Sequence, residues 1–211
     1  MMSRERDTID WISEYVGPSD HVWDVGANIG IYSLYAALER DVSVTAFEPV
    51  AGNFAALSDA IMRNGVSDRV TPFAMALSDT TGALPIYLID SEPGAGLHAL
   101  GSPVNAKGSF VPQGKIMVAA VRGDDVVKRF SVRPPTHIKI DVDGHEMRVL
   151  EGMHETLSCA RSVWIEMMEE TTATIGANDN ICAWLSDHGF DETALKSGAK
   201  GGNRLFVNRN I

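Results

Sequence analysis

Short continuous apolar runs and longer stretches with helical spacing follow one another along most of the chain, the rhythm of a strand followed by a helix. Residues 21–25, 43–47, 70–76, 137–142 and 163–167 read as buried strands. Between them, Ile29, Leu34, Ala37 and Leu38 recur at helical spacing, as do Phe54, Leu57, Ile61 and Met62 before Asn64 and Gly65. Met147, Val149, Leu150 and Met153 mark a helix over 145–157, and Ile181, Trp184 and Leu185 another over 179–188. A shorter helix begins at Asp124 and Asp125 and runs to Phe130. Ahead of the first strand, Ser3 is placed to cap a helix to Val16, where Gly17 and Pro18 stop it. Its apolar stripe (Ile9, Trp11, Ile12, Tyr15, Val16) must pack on the sheet or over a ligand entrance.

The rhythm lapses once. Residues 83–89 and 115–121 both read as strands, yet 91–114 between them is rich in Gly, Pro, Ser and Asn. So long an irregular segment inside a domain is often functional. It reads as a substrate-side flap carried on a strand pair (83–121), with a plain surface loop as the alternative. At the C-terminus, 190–195 and 204–208, linked through Gly198, Gly201 and Gly202, form an antiparallel hairpin. The fold class is therefore α/β: a doubly wound, mostly parallel sheet with an antiparallel C-terminal edge and an added N-terminal helix within 1–20. With 211 residues the chain makes one domain.

Charge narrows the partners. A formal net charge of -10 disfavours nucleic acid and anionic membranes, which need an excess of Lys and Arg. The N-terminal residues lead into no apolar leader and no run has the length of a membrane span, so the expected location is cytoplasmic. Cys159 and Cys182 are expected to be reduced and buried. A homodimer is left open.

The chemistry starts at HVWDVGANIG, residues 21–30, a strand that breaks at Asp24–Gly26 and runs into a helix. A second strand then ends at Glu48, the order of a nucleoside-binding half-fold in which the acid meets the ribose. Asn28 and Ile31 stand where a dinucleotide fingerprint wants Gly, which disfavours NAD and FAD. Gly26 and Gly30 predict a small concavity of backbone N–H groups beside Asp24. S-adenosylmethionine suits it, with its ammonium at Asp24, its carboxylate in the turn and its ribose at Glu48. The second dense stretch is HIKIDVDGHEMRVLEG, residues 137–152, where Asp141, Asp143, Gly144, His145 and Glu146 crowd the strand-to-helix turn on the same rim. The position of Gly144 does not match a calcium loop.

These segments resemble the FkbM-type S-adenosylmethionine-dependent methyltransferases. The resemblance rests on DVGANIG (24–30), FEPVAGNFAAL (47–57) with Asn64, ALSD (76–79), IKIDVDGHEMRVLEG (138–152) and WIEM (164–167), in the family's order. One departure is Asp143, where the family's motif has Glu. The resemblance implies a class I methyltransferase fold and methyl transfer to oxygen on a small molecule or saccharide. It also implies cofactor contacts at Asp24, Gly26, Ala27, Asn28 and Gly30, at Glu48 and Pro49, at Ala76, Leu77 and Ser78, and at Asp141.

A hydroxyl acceptor must lose a proton during methyl transfer. His145 is the candidate base, because an ordinary imidazole titrates near operating pH, and Asp141 is the candidate for orienting acceptor or cofactor. No metal is assigned, although Asp141, Asp143, His145 and Glu166 together could hold a divalent cation. His21, His98, His137, His154 and His188 show no ligand spacing. Two rival functions stand beside methyl transfer: an NAD-dependent oxidoreductase, and a methyltransferase fold that binds partners without turnover.

Overall fold

A computed structural model of the chain describes residues 2–167, 175–198 and 202–211. Helix α1 (Met2–Tyr15) precedes β1 (His21–Val25), α2 (Ile31–Glu39), β2 (Ser43–Phe47), α3 (Ala51–Arg63) and β3 (Val70–Phe73). Then come six strands: β4 (Ala76–Leu77), β5 (Gly82–Leu88), β6 (Ala99–Leu100), β7 (Val104–Asn105), β8 (Gly108–Ser109) and β9 (Gly114–Val121). Helix α4 (Gly123–Phe130) leads to β10 (His137–Ile140), α5 (Glu146–Glu151), α6 (His154–Leu157) and β11 (Ser162–Glu166). Finally α7 (Ala177–Asp187) precedes β12 (Phe190–Thr193) and β13 (Asn203–Asn208).

Seven strands form the main sheet in the order β12-β13-β11-β10-β1-β2-β3. Its five members from β11 to β3 are parallel, and β13 pairs antiparallel with β11 and with β12. The doubly wound sheet with an antiparallel edge is thus present. Alternation along each strand feeds two cores. Trp23, Val25, Phe47, Ile138, Ile140 and Ile165 join α5, α6 and α7 on one face. On the other face, Val22, Val44, Ala46 and Trp164 meet Trp11, Leu57 and Ile61.

Helix α1 packs on that second face. Trp11 stacks on Trp164 with ring centroids 6.0 Å apart and donates its indole N–H to Ser162 Oγ at 3.2 Å. The helix starts at Met2, so Ser3 lies inside it rather than capping it. Below the strands, His21 bonds Ser43 and Thr45, and His137 bonds Ser162 and Asp20, a buried polar layer at the end away from the glycine turn.

Four expectations change in detail. The predicted strand over 70–76 is two strands in different sheets. Met75 N–H bonds back to Phe73 O at 2.9 Å, a tight turn that sends Ala76 and Leu77 to pair with β9. The helix expected over 145–157 is broken between α5 and α6. Gly152 lies against Ser78, and a Cβ there would overlap the Ser78 carbonyl oxygen, so the chain bends at the one residue that fits. Cys159 is exposed rather than buried, and both cysteines are free. The segment 91–114 contains three short strands. The strands flanking it do pair antiparallel, from Gly82 opposite Ala120 to Leu88 opposite Gly114. The expected linker glycine Gly201 lies outside the described residues.

Candidate functional site

The strand ends of β1, β2, β10 and β11 converge on one rim, as the register dictates: Asp24 lies opposite Ala46 on one side and Lys139 on the other. Gly26 (φ 79°) turns the chain there, and a Cβ on it would overlap the Asp141 carbonyl oxygen. Only glycine permits both the left-handed backbone and that approach. Gly30 (φ 88°) begins α2 against Leu57.

The open cradle of N–H groups expected from this turn is instead closed on itself. Gly26 and Ala27 N–H both bond Phe47 O at 3.0 Å, Gly30 N–H bonds Ala27 O at 2.8 Å, and Asn28 and Ile29 N–H bond Glu48 Oε2 and Asn28 Oδ1. The turn is therefore a rigid shelf rather than an anion-binding nest. Asp24 is likewise committed. It is 1% exposed, with Oδ2 accepting from Ser33 Oγ at 2.6 Å and Oδ1 from Lys139 Nζ at 3.0 Å.

Glu48 stands at the tip of β2 with Oε1 accepting from Val50 N–H at 2.8 Å and Oε2 from Asn28 N–H at 2.9 Å. Burial pushes its carboxyl up to about 6 despite those hydrogen bonds. Pro49 follows, half-buried. Asn28 and Asn53 both donate side-chain amides to Ala95 O, at 3.1 and 3.2 Å, and Gly94 N–H returns a bond to Asn53 Oδ1. The first part of the 91–114 segment is thereby tied across the rim. Its next residues are tied to β10's turn, with Leu97 N–H on Asp143 Oδ2 and Ala106 N–H on the Asp143 carbonyl.

Asp141, Asp143 and Glu166 bring carboxylate oxygens within 4.8 Å of one another, a spacing that could hold a cation; His145 is outside that group. Three carboxylates so close resist joint ionisation. Burial and the neighbouring Asp141, through its charge and a hydrogen bond, push Glu166 up to about 9, so it is protonated at neutral pH. Asp143 rises to about 6, through burial and then Asp141. Glu146 rises to about 7 through burial, while it accepts from Val142 and Gly144 N–H and so holds the 141–146 turn in shape.

His145 precedes α5 and places Nε2 3.0 Å from Ser78 Oγ. The Ser78 hydroxyl spends its one proton on Asp79 Oδ1 at 2.9 Å, so Nε2 must be the protonated ring nitrogen and Nδ1 keeps the lone pair. Burial first, and then Arg148, lowers the imidazole to about 4. The premise of a near-neutral pKa is thus corrected: His145 is neutral throughout the physiological range. Ser78 is fully buried between these partners, and Ala76 and Leu77 are also buried, so the 76–78 run offers little surface to a ligand.

Sequence reasoning placed Glu146 at the turn without a role and passed over Lys139 and the Asn53 amide. Lys139 carried a signal: a charge in the middle of an apolar strand is rarely buried without a partner. Asn53 carried none, since its role comes from a segment more than 40 residues away.

The model of the methyltransferase FkbM domain matches residues 24–192. A hexuronic acid methyltransferase, AglP, of Haloferax volcanii is 32% identical over 169 residues, covering 77% of this chain and 62% of that protein. The 31-O-demethyl-FK506 methyltransferase FkbM of Streptomyces tacrolimicus is 31% identical over 202 residues, covering 84% and 75%. Among solved structures, methyltransferase FkbM from Methylobacillus flagellatus superposes with a TM-score of 0.60 at 16% identity, covering 94% of this chain and 47% of that one. A precorrin-6y C5,15-methyltransferase from Geobacter metallireducens gives 0.54 at 11%, covering 96% and 84%. The chain thus spans about three fifths of the haloarchaeal relative and half of the Methylobacillus one. These matches and the rim geometry agree: the chain belongs to the FkbM methyltransferase domain family.

Proposed function

We propose that the chain is an S-adenosylmethionine-dependent O-methyltransferase whose acceptor is a hydroxyl of a small molecule or saccharide. The observation that carries the reading is Glu48: a buried carboxylate at the tip of β2, beside a glycine shelf, with acceptor capacity left beyond its bonds from the Asn28 and Val50 N–H groups and the Asn53 side chain. Such a group suits the two ribose hydroxyls of a nucleoside, each of which needs an acceptor. The Gly26 carbonyl and Asp141 supply acceptors for an ammonium on the neighbouring strand tips. The bound cofactor would supply a methyl group already activated on a sulfonium, so the protein's work is chiefly alignment and removal of one proton.

His145 is the group assigned to that proton, received at Nδ1 while Nε2–H stays on Ser78. Its neutral state at pH 7 keeps Nδ1 ready to accept. The protonated Glu166 beside Asp141 leaves one charge fewer at the acceptor end, which eases the approach of a neutral sugar or alcohol. The named relatives are a hexuronic acid methyltransferase and a 31-O-demethyl-FK506 methyltransferase, both consistent with a hydroxyl-bearing acceptor. No described helix is long and apolar enough to cross a membrane, and a cytoplasmic location and a small-molecule partner belong to this same reading.

The test is calorimetry of the purified protein with S-adenosylhomocysteine, followed by a screen of sugars and hydroxylated metabolites for transfer of a labelled methyl group. Micromolar binding and labelling on oxygen are expected. No binding at millimolar ligand would remove the proposal.

A further inference from the structure

Lys139 lies in the centre of the sheet, 3% exposed, on the face of β10 that also carries His137 and Asp141. Its ammonium has four neighbours: Asp24 Oδ1 at 3.0 Å, the Gly26 carbonyl oxygen at 3.3 Å, Asp141 Oδ2 at 3.5 Å and the Tyr32 ring centroid at 5.3 Å. The crevice around it, walled by Trp11, Ile12, Val22, Tyr32 and Ser33, leaves no room for a water molecule. Burial alone would lower its pKa, but Asp24 and Asp141 outweigh that and keep it charged. A buried ammonium has three protons to place, and here three oxygens from two strand tips are within reach.

We propose that Lys139 is a positioning residue for cofactor binding: one buried ammonium fixes the Gly26 carbonyl and the Asp141 carboxylate in a single geometry, with Asp24 as its counter-ion. The inference rests on the cofactor reading above and assigns Asp24 a place behind the site, out of contact with ligand. Asp24 is 1% exposed, and Ser33 and Lys139 each hold one of its oxygens inside the sheet. Asp141 is also held by its N–H on Val25 O and by a hydrogen bond with Glu166, but neither of these reaches the Gly26 carbonyl, which Lys139 ties to the Asp141 carboxylate.

The test compares wild type, Lys139→Met and the double variant Asp24→Asn/Lys139→Met, in thermal melts and in calorimetry with S-adenosylhomocysteine. Lys139→Met leaves Asp24 buried without a counter-ion, so its melting temperature should fall. The double variant removes both charges and should recover most of it. Affinity should behave differently: at least tenfold weaker in either folded variant. Recovery of affinity together with stability in the double variant would overturn the proposal, as would wild-type affinity in Lys139→Met. Wild-type protein supplies a second measurement that needs no variant. The Lys139 15Nζ resonance should shift during titration with S-adenosylhomocysteine as Gly26 and Asp141 take up the ligand, and an unmoved resonance at saturation would overturn the assignment. Wild type that binds no S-adenosylhomocysteine is a separate result, which brings down the cofactor reading and this one with it.

Discussion

The hydroxyl of Ser78 sits 3.0 Å from Nε2 of His145, 67 residues further along the chain, and fixes which ring nitrogen is free to take a proton. If Nδ1 is the base, His145→Ala should lower kcat by about 10²- to 10⁴-fold, the usual range for a positioned general base. Cofactor affinity should change little. Ser78→Ala, which releases the tautomer, should lower kcat less. Because the imidazole is held at about 4, the acid limb of kcat in wild type should fall near that pH and not near 6.5. Steady-state rates at saturating substrates between pH 4 and 9 check the two kcat losses and the acid limb, and calorimetry with S-adenosylhomocysteine checks the affinity.

Glu48→Gln keeps the shape of the side chain and removes its charge. Losing a charge-assisted hydrogen bond to ribose should cost about 1.5–3 kcal/mol in cofactor binding. Since the wild-type carboxyl titrates at about 6, affinity in wild type should also decline as pH falls through that value, whereas the variant should show no such step. Calorimetry with S-adenosylhomocysteine at pH 5 and pH 8 separates the two.

Glu166 is raised above its unfolded value, so its contribution to stability is full below the unfolded pKa near 4.5 and is lost as pH rises toward about 9. Glu166→Gln removes that loss. The variant should match wild type at pH 4.5 and exceed it by roughly 1–3 kcal/mol at pH 8. Urea denaturation at the two pH values is the measurement, and equal stability at pH 8 would mean that the carboxyl is ionised without strain.

Gly26→Ala asks the chain to accept a Cβ against the Asp141 carbonyl at a positive φ. Together these should destabilise the fold by roughly 2–5 kcal/mol. Gly65→Ala is the comparison: its φ is also positive, yet nothing lies near the added carbon, so only the backbone cost applies. Denaturation midpoints of the two variants, side by side, separate crowding from backbone preference.

The parallel strands were legible because each is a short, largely apolar run, and β1 and β2 begin and end where the pattern puts them. Helix ends were less so, as at Gly152, where the break is imposed by the distant Ser78 carbonyl. The rim itself was legible in outline: Gly26, Glu48 and Asp141 stand on neighbouring strand ends, and His145 opens the helix that follows β10. What could not be read was which polar atoms are already spent. Asp24 looks available in a list of residues, and only the parallel register with β10 shows that Lys139 has taken it. The N–H groups of residues 26–30 looked free for the same reason, until the partner Phe47 carbonyl was in place. His145 bonds Ser78 outside the Asp141, Asp143 and Glu166 group, and burial lowers its pKa; neither can be read from a helix start.

The sheet order also has a bearing on how the molecule comes into being. Strands β1 and β10 are side by side, but Asp24 and Lys139 are 115 residues apart in the sequence. A growing chain that has not yet delivered residue 140 carries β1 with one hydrogen-bonding edge bare. Closing so long a loop is slow compared with forming any one helix. The candidate rim is therefore completed late, when the middle of the sheet is stitched shut, and an N-terminal fragment stopped before β10 would expose a sticky border and lack the half of the rim that Lys139 and Asp141 supply.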